Sequence, residues 1–115
     1  MIRVAVIALM PCMAQASEPW QGAWAFDPAW CEAADKIGSV SPAPIRLTAD
    51  EFLGYENSCV LTRVEDIGLN AWGLSLHCES EGDFYEDDRI VMVHNNKMWM
   101  WYGLEAPTEF RRCVE

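Results

Sequence analysis

Apolar and polar positions along residues 45–114 alternate with a period close to two, and Gly, Asn, Asp and Pro break the alternation at short intervals. That pattern belongs to half-buried β-strands joined by tight turns. It predicts strands at Ile45–Thr48 and Phe52–Glu56 around a turn at Ala49-Asp50, then longer ones at Cys59–Asp66 and Ala71–Glu79. Beyond a turn at Glu81-Gly82-Asp83, Phe84-Tyr85 and Arg89–His94 are extended, Asn95-Asn96 reverses the chain, and Lys97–Gly103 returns. Asn tolerates the positive φ that a two-residue hairpin requires. Gly22–Phe26 is a first strand, with Trp24 and Phe26 on one face, and Glu109–Val114 is a last one after a loop at Ala106-Pro107. A helical period occurs between them. Trp30, Ala33, Ala34 and Ile37 fall at i, i+3, i+4 and i+7, Asp27 is a good N-cap, Pro28 suits the first helical position, and Gly38 ends the run. The expected fold class is mainly β: a small antiparallel meander closing into a barrel or sandwich, with one short helix.

Strand parity then assigns faces. A two-residue turn at Gly68-Leu69 sets Asp66 opposite Ala71, Leu61 opposite Leu76 and Cys59 opposite Cys78. Directly opposed residues of an antiparallel pair lie ~4.5–5.5 Å apart, within reach of a disulfide. Leu61, Trp72, Leu74 and Leu76 share that side. The Asn95-Asn96 turn pairs His94 with Lys97 and Val93 with Met98. Met98 and Met100 therefore share a face with Val91 and Val93, while Met92 and His94 point the other way. Met98-Trp99-Met100-Trp101-Tyr102 stands out because it is apolar or aromatic on both faces, where a half-exposed strand would alternate. Either the helix carrying Trp30 covers the outer side, or Trp99, Trp101 and neighbouring Met92 form a strip that a partner covers.

The N-terminus follows a different logic. Arg3 precedes an apolar run, Val4–Met10, and Ala14-Gln15-Ala16 supplies small residues where signal peptidase cuts. The run is too short for a bilayer span, which needs ~20 residues. Residues 1–16 are expected to be a secretory signal peptide, and residues 17–115 a single disulfide-stapled β domain beginning at Ser17. A buried first strand, or a lipoprotein cut before Cys12, are the competing readings. Cys31, Cys59, Cys78 and Cys113 remain after cleavage, an even number in an exported chain. With Cys59 opposite Cys78, Cys31 is left for Cys113, one of three possible connectivities. Zinc competes weakly, since intervals of 28, 19 and 35 residues contain no close cysteine pair.

Charge narrows the partners. Eight basic residues face 18 acidic ones, a net charge of −10 at pH 7, and loss of Arg3 makes it more negative. Such a surface repels phosphate, so neither nucleic acid nor an anionic membrane is an expected partner. A cationic secreted protein, such as a protease or a lysozyme, is the expected one.

Gly22-Ala23-Trp24 on the first strand, with Arg111 and Arg112 on the last, resembles the calycin signature. In that superfamily, which includes the lipocalins, a Gly-x-Trp strand opens a β-barrel and a basic side chain of the final strand lies across the Trp ring. Guanidinium stacks well on indole. In size and export the chain is similar to small bacterial periplasmic inhibitors of secreted metalloproteases, which insert an N-terminal trunk into their target. It departs from them in its four mature cysteines, in the helix after the first strand, and in having only Ser17–Gln21 available as a trunk. The layout is also similar to that of exported proteobacterial proteins, which implies no activity.

Other chemistry is weaker. Glu79, Glu81, Asp83, Glu86, Asp87 and Asp88 crowd a short stretch, a solvated acidic turn or a loose calcium loop without EF-hand spacing. Met92, His94, Met98 and Met100 suggest a soft-metal site, but parity splits them across two faces. Ser75 and His77 share a face ~7 Å apart, too far for a nucleophile–base hydrogen bond. No metal and no cofactor are expected. The function expected is a non-enzymatic binding or inhibitory module, periplasmic or secreted, that recognises a protein; the alternative is a calycin-type small-molecule carrier.

Overall fold

A computed structural model of the protein describes residues 17–114; the expected signal peptide at residues 1–16 lies outside the described residues. Eight strands follow one another: β1 Gly22–Ala25, β2 Ile45–Leu47, β3 Glu51–Gly54, β4 Asn57–Gly68, β5 Ala71–Ser80, β6 Asp83–His94, β7 Lys97–Tyr102 and β8 Thr108–Arg112. Each pairs antiparallel with the next, and β8 returns to β1. The meander thus closes as a barrel, in sequence order. The two extended pieces expected at Phe84-Tyr85 and Arg89–His94 are parts of one strand, β6.

The alternation read from the sequence becomes an inner and an outer face. Trp24, Leu47, Phe52, Trp72, Leu74, Leu76, Val91, Met98, Met100 and Phe110 point inward and are buried in one cluster. Asn95-Asn96 is the β6–β7 turn, with His94 opposite Lys97 and Val93 opposite Met98, as parity required. Both expected disulfides form, Cys59–Cys78 within the β4–β5 hairpin and Cys31–Cys113 across 82 residues.

The hairpin carrying the first bridge reaches its register by a different route from the one expected. Its turn is Leu69-Asn70, not Gly68-Leu69, and Asn70 supplies the positive φ of 58°. From that turn an unbroken ladder would set Cys78 opposite Leu61. Two irregularities in β4, at Thr62 and Ile67, each absorb one residue and bring Cys59 back opposite Cys78. The Thr62 hydroxyl donates to the Ser75 carbonyl at 3.2 Å, and the Asp66 carboxylate accepts from the Gly68 amide at 3.2 Å. In the register expected without these bulges, Arg63 and Glu65 face inward beside Leu74 and Trp72. The observed register sets Val64 opposite Leu74 and Asp66 opposite Trp72 instead, with Val64 still exposed.

The helix also departs from expectation. Pro28–Lys36 is a 3-10 helix, capped by Asp27, whose carboxylate accepts from the Ala29 amide at 2.9 Å. Its Trp30, Cys31 and Ile37 pack on Ala23, Ala25 and Cys113. It therefore covers the outside of β1, not of β7. Only Phe26 and Asp27 link it to β1, and Cys31 is bonded to Cys113, which holds it against β1, two strands around the barrel from β7. Phe26 lies past the strand end, exposed, with its ring 5.9 Å from that of Trp30.

The closing seam is short: Trp24 pairs with Arg112 and Ala25 with Arg111. Arg112 strengthens it through its side chain. The guanidinium lies 4.2 Å from the Trp24 ring and donates to the Gln21 and Pro19 carbonyls at 2.9 and 2.6 Å. Trp24 Nε1 donates to the Trp20 carbonyl at 2.9 Å, and the Trp20 indole is buried in the core cluster. Gly22 permits this arrangement. Its φ is +129°, and a Cβ there would stand 2.8 Å from Arg112 Nη1. Arg111, the second basic residue expected to take part, points outward beside Glu109.

Gly22→Ala combines backbone strain with a clash against a held guanidinium, and is expected to cost ~3 kcal/mol in chemical denaturation. Gly82→Ala, at a positive φ of 86° with open space around it, is expected to cost only ~1 kcal/mol. Equal losses in the two variants would contradict the clamp.

Candidate functional site

Outward positions on β4 to β7 carry an apolar belt. On β7, Trp99 and Trp101 are outward and half-buried; across the ladder Trp99 faces Met92 and Trp101 faces Ile90. Ile90 and Met92 are 45% and 36% exposed, large values for such side chains within a sheet. On β5 the outward neighbours are small: Ala71 opposite Met92 and Gly73 opposite Ile90. Ile67, in the second bulge of β4, leans over Gly73. Large residues around two small ones leave two depressions. One, of about 200 Å³, lies between Ala71, Ile90, Met92 and Trp101, with Gly103 at its edge. The other, of about 240 Å³, lies over Gly73 and Ser75 between Ile67 and Ile90, with Glu65 and Asp88 at its sides.

Met92, Trp99 and Trp101 are thus brought together on one outer surface, and Trp99 and Trp101 share the same degree of burial. Ile90, Ala71 and Gly73 complete that surface and were not singled out from the sequence. Their parity was legible, since they alternate with Val91, Trp72 and Leu74. Small residues in a strand carry no apolar signal, however, so the depressions were not.

The inner face holds a second unexpected group. Arg89 shares parity with Val91 and points inward, where its guanidinium lies 3.7 Å from the Tyr102 ring and 5.4 Å from that of Phe52. It bonds the Asp87 carboxylate at 2.7 and 2.8 Å and reaches Met100 Sδ at 3.3 Å. Its side chain is only 12% exposed. All this fastens the barrel wall where β7 ends. Strand geometry divides the acidic run in the same way, with Asp87 inward on Arg89 and Glu86 and Asp88 outward. Glu86 engages His77 Nδ1, beside Phe84 stacked on the His77 ring. Among the described residues no three His, Cys, Asp or Glu side chains stand close enough to hold a metal ion. Met98 and Met100 are buried in the core while Met92 and His94 lie outside, so the four do not converge.

The barrel interior is occupied. Trp24 and Trp72 are packed with Trp20, Phe52 and Phe110 in the core cluster. Trp20 belongs to the segment Ser17–Gln21, the only one available as a trunk, and the Arg112 bonds to Pro19 and Gln21 tie that segment down. Comparison with protein-family models, curated proteins and solved structures finds no match to the chain.

The faces of β7 predict a contrast in stability. Met100→Ala, which empties fully buried volume, is expected to cost ~2–5 kcal/mol. Trp99→Ala and Trp101→Ala, on the outer surface, are expected to cost ~1 kcal/mol each. Thermal melts check this, and a loss at Trp101 as large as that at Met100 would show the outer aromatic pair to be structural.

Proposed function

We propose that this protein is an exported, non-enzymatic binding module of calycin type, periplasmic or secreted, that recognises a cationic secreted protein through the outer face of β6 and β7. The observation that carries this reading is the belt of Ile90, Met92, Trp99 and Trp101 on the outside of a closed barrel in a chain of net charge −10. Aromatic and Met side chains are enriched in the cores of protein interfaces, and charge on the surround supplies steering. Export is supported by the secretory layout of residues 1–16 and by the two disulfides. Among the described residues no helix is long and apolar enough to cross a membrane.

The calycin reading draws on the closed antiparallel barrel and on Arg112 lying over Trp24 beside Gly22. A carrier would need the interior that Trp20, Trp24 and Trp72 fill, so the outer surface is the better site. Inhibition by an inserted trunk is likewise a poorer reading than docking by the barrel wall, because Pro19–Gln21 is held against Arg112.

A cationic lysozyme and a cationic secreted protease, titrated at low and at high salt, test the proposal. At least one is expected to bind at low salt and more weakly at high salt. Trp101→Ala is expected to weaken that binding by ~2 kcal/mol, while Phe84→Ala, elsewhere on the outer face, leaves it unchanged. Binding of neither probe, or binding indifferent to Trp101→Ala, would contradict the proposal.

A further inference from the structure

The two depressions differ in chemistry in a way that specifies what enters them. Ala71 and Gly73 are successive outward positions of β5, hence ~7 Å apart. Ile90, opposite Gly73, rises between them and lines both depressions. Over Ala71 the walls are Met92, Trp101 and Ile90, all apolar. Over Gly73 they include the side chains of Glu65 and Asp88 and the Ser75 hydroxyl. Arg89 borders this depression through its main chain, since its guanidinium is on the inner face with Asp87. The nearby cation is Arg63, 3.6 Å from Glu65 in an exposed pair of little strength.

Gly73 is the unusual residue. Glycine inside a strand weakens it, and often marks a close approach of another chain. Neither backbone nor space demands glycine here. Its φ lies outside the left-handed region, and an added Cβ would meet only Ile67 Cγ2 at 3.7 Å and the Glu65 carbonyl at 4.0 Å, ordinary contacts. The missing side chain leaves open the space that Ile67 and Ile90 border.

We propose that the paired depressions take alternate side chains of one extended segment of a cationic protein, an apolar one over Ala71 and a basic one over Gly73. In an extended segment, side chains two apart point the same way at the spacing of Ala71 and Gly73. Charge selects the occupant: Glu65 and Asp88 favour a basic side chain, and a net charge of −10 makes a second copy of this chain a poor one. The inference rests on the proposed function and narrows it to an apolar and a basic residue separated by one, tested below in the order apolar-x-basic.

Three capped, Gly/Ser-flanked synthetic peptides containing Leu-Ser-Lys, Leu-Lys-Ser or Leu-Ser-Glu test this, with methyl NMR signals of Ile90 and Met92 as the readout. The Leu-Ser-Lys peptide is expected to shift both signals and to bind about tenfold more tightly than the other two. Gly73→Ala is expected to weaken that binding severalfold without lowering the melting temperature, since the added Cβ makes only ordinary contacts. Glu65→Gln with Asp88→Asn is expected to erase the preference for Lys over Glu while leaving the apolar depression intact. Equal affinity for the three peptides, or a preference that survives the double variant, would overturn the inference. If lysozyme or protease binding still depends on Trp101 while the peptides are not distinguished, the motif fails and the outer binding face stands. If the proteins and peptides all fail to bind, both readings fall.

Discussion

A barrel of about a hundred residues depends on its last seam, and here that seam is held by the Arg112 side chain together with the Cys31–Cys113 bridge. Trp24–Arg112 and Ala25–Arg111 are its strand pairs, too few for ladder bonds alone to hold the ends of a sheet together. Arg112 adds a stack on Trp24 and bonds to two carbonyls of the chain entering β1. A partly exposed stack of this kind contributes ~1 kcal/mol. Beside it, Cys113 donates its amide to the Ala23 carbonyl at 2.8 Å and is bonded to Cys31. Closing that long loop contributes ~4 kcal/mol in the chain-entropy model. Clamp and disulfide act on the same few residues, so the short seam is reinforced on both faces: Arg112 with Trp24 inside, the 3-10 helix outside.

Closure decides where function can reside. Pulling the entering chain against Arg112 carries Trp20 into the core, and the inward side chains of the other strands fill the rest. On β6, two strands from the seam, Arg89 between Tyr102 and Asp87 fixes the wall where β7 gives out. Both arginines are held by aromatic faces and by carbonyl or carboxylate oxygens. What the barrel leaves to a partner is its outer wall. There the strands that the helix does not reach, β5 to β7, expose Ile90, Met92 and part of each outer tryptophan.

Much of this was legible in the alternation of residue types. Period-two patterning gave the strand order, and parity gave the inner methionines, the outward Met92, Trp99 and Trp101, and both disulfides. The Cys59–Cys78 pairing, however, was reached through a misplaced turn. Sequence patterning has no marker for a bulge, and the extra residues Thr62 and Ile67 compensate for a turn one residue further on. The helix stripe of Trp30, Ala33, Ala34 and Ile37 identified an apolar side but not its destination, which the two-residue link and the Cys31 bridge decide. Trp20 carried no signal at all: a lone aromatic beside Pro19 is burial without periodicity. Ala71 and Gly73 were silent for the opposite reason, since their role is to leave space.

The central claim is that the interior is structural and the outer wall of β6 and β7 functional, and the six tryptophans report on both. The most direct measurement follows their indole N–H signals by two-dimensional ¹H–¹⁵N NMR while a cationic lysozyme or protease that binds is added. The account predicts that Trp99 and Trp101 shift while Trp20, Trp24 and Trp72 stay in place. Movement of Trp24 and Trp72 with Trp99 and Trp101 unchanged would contradict it.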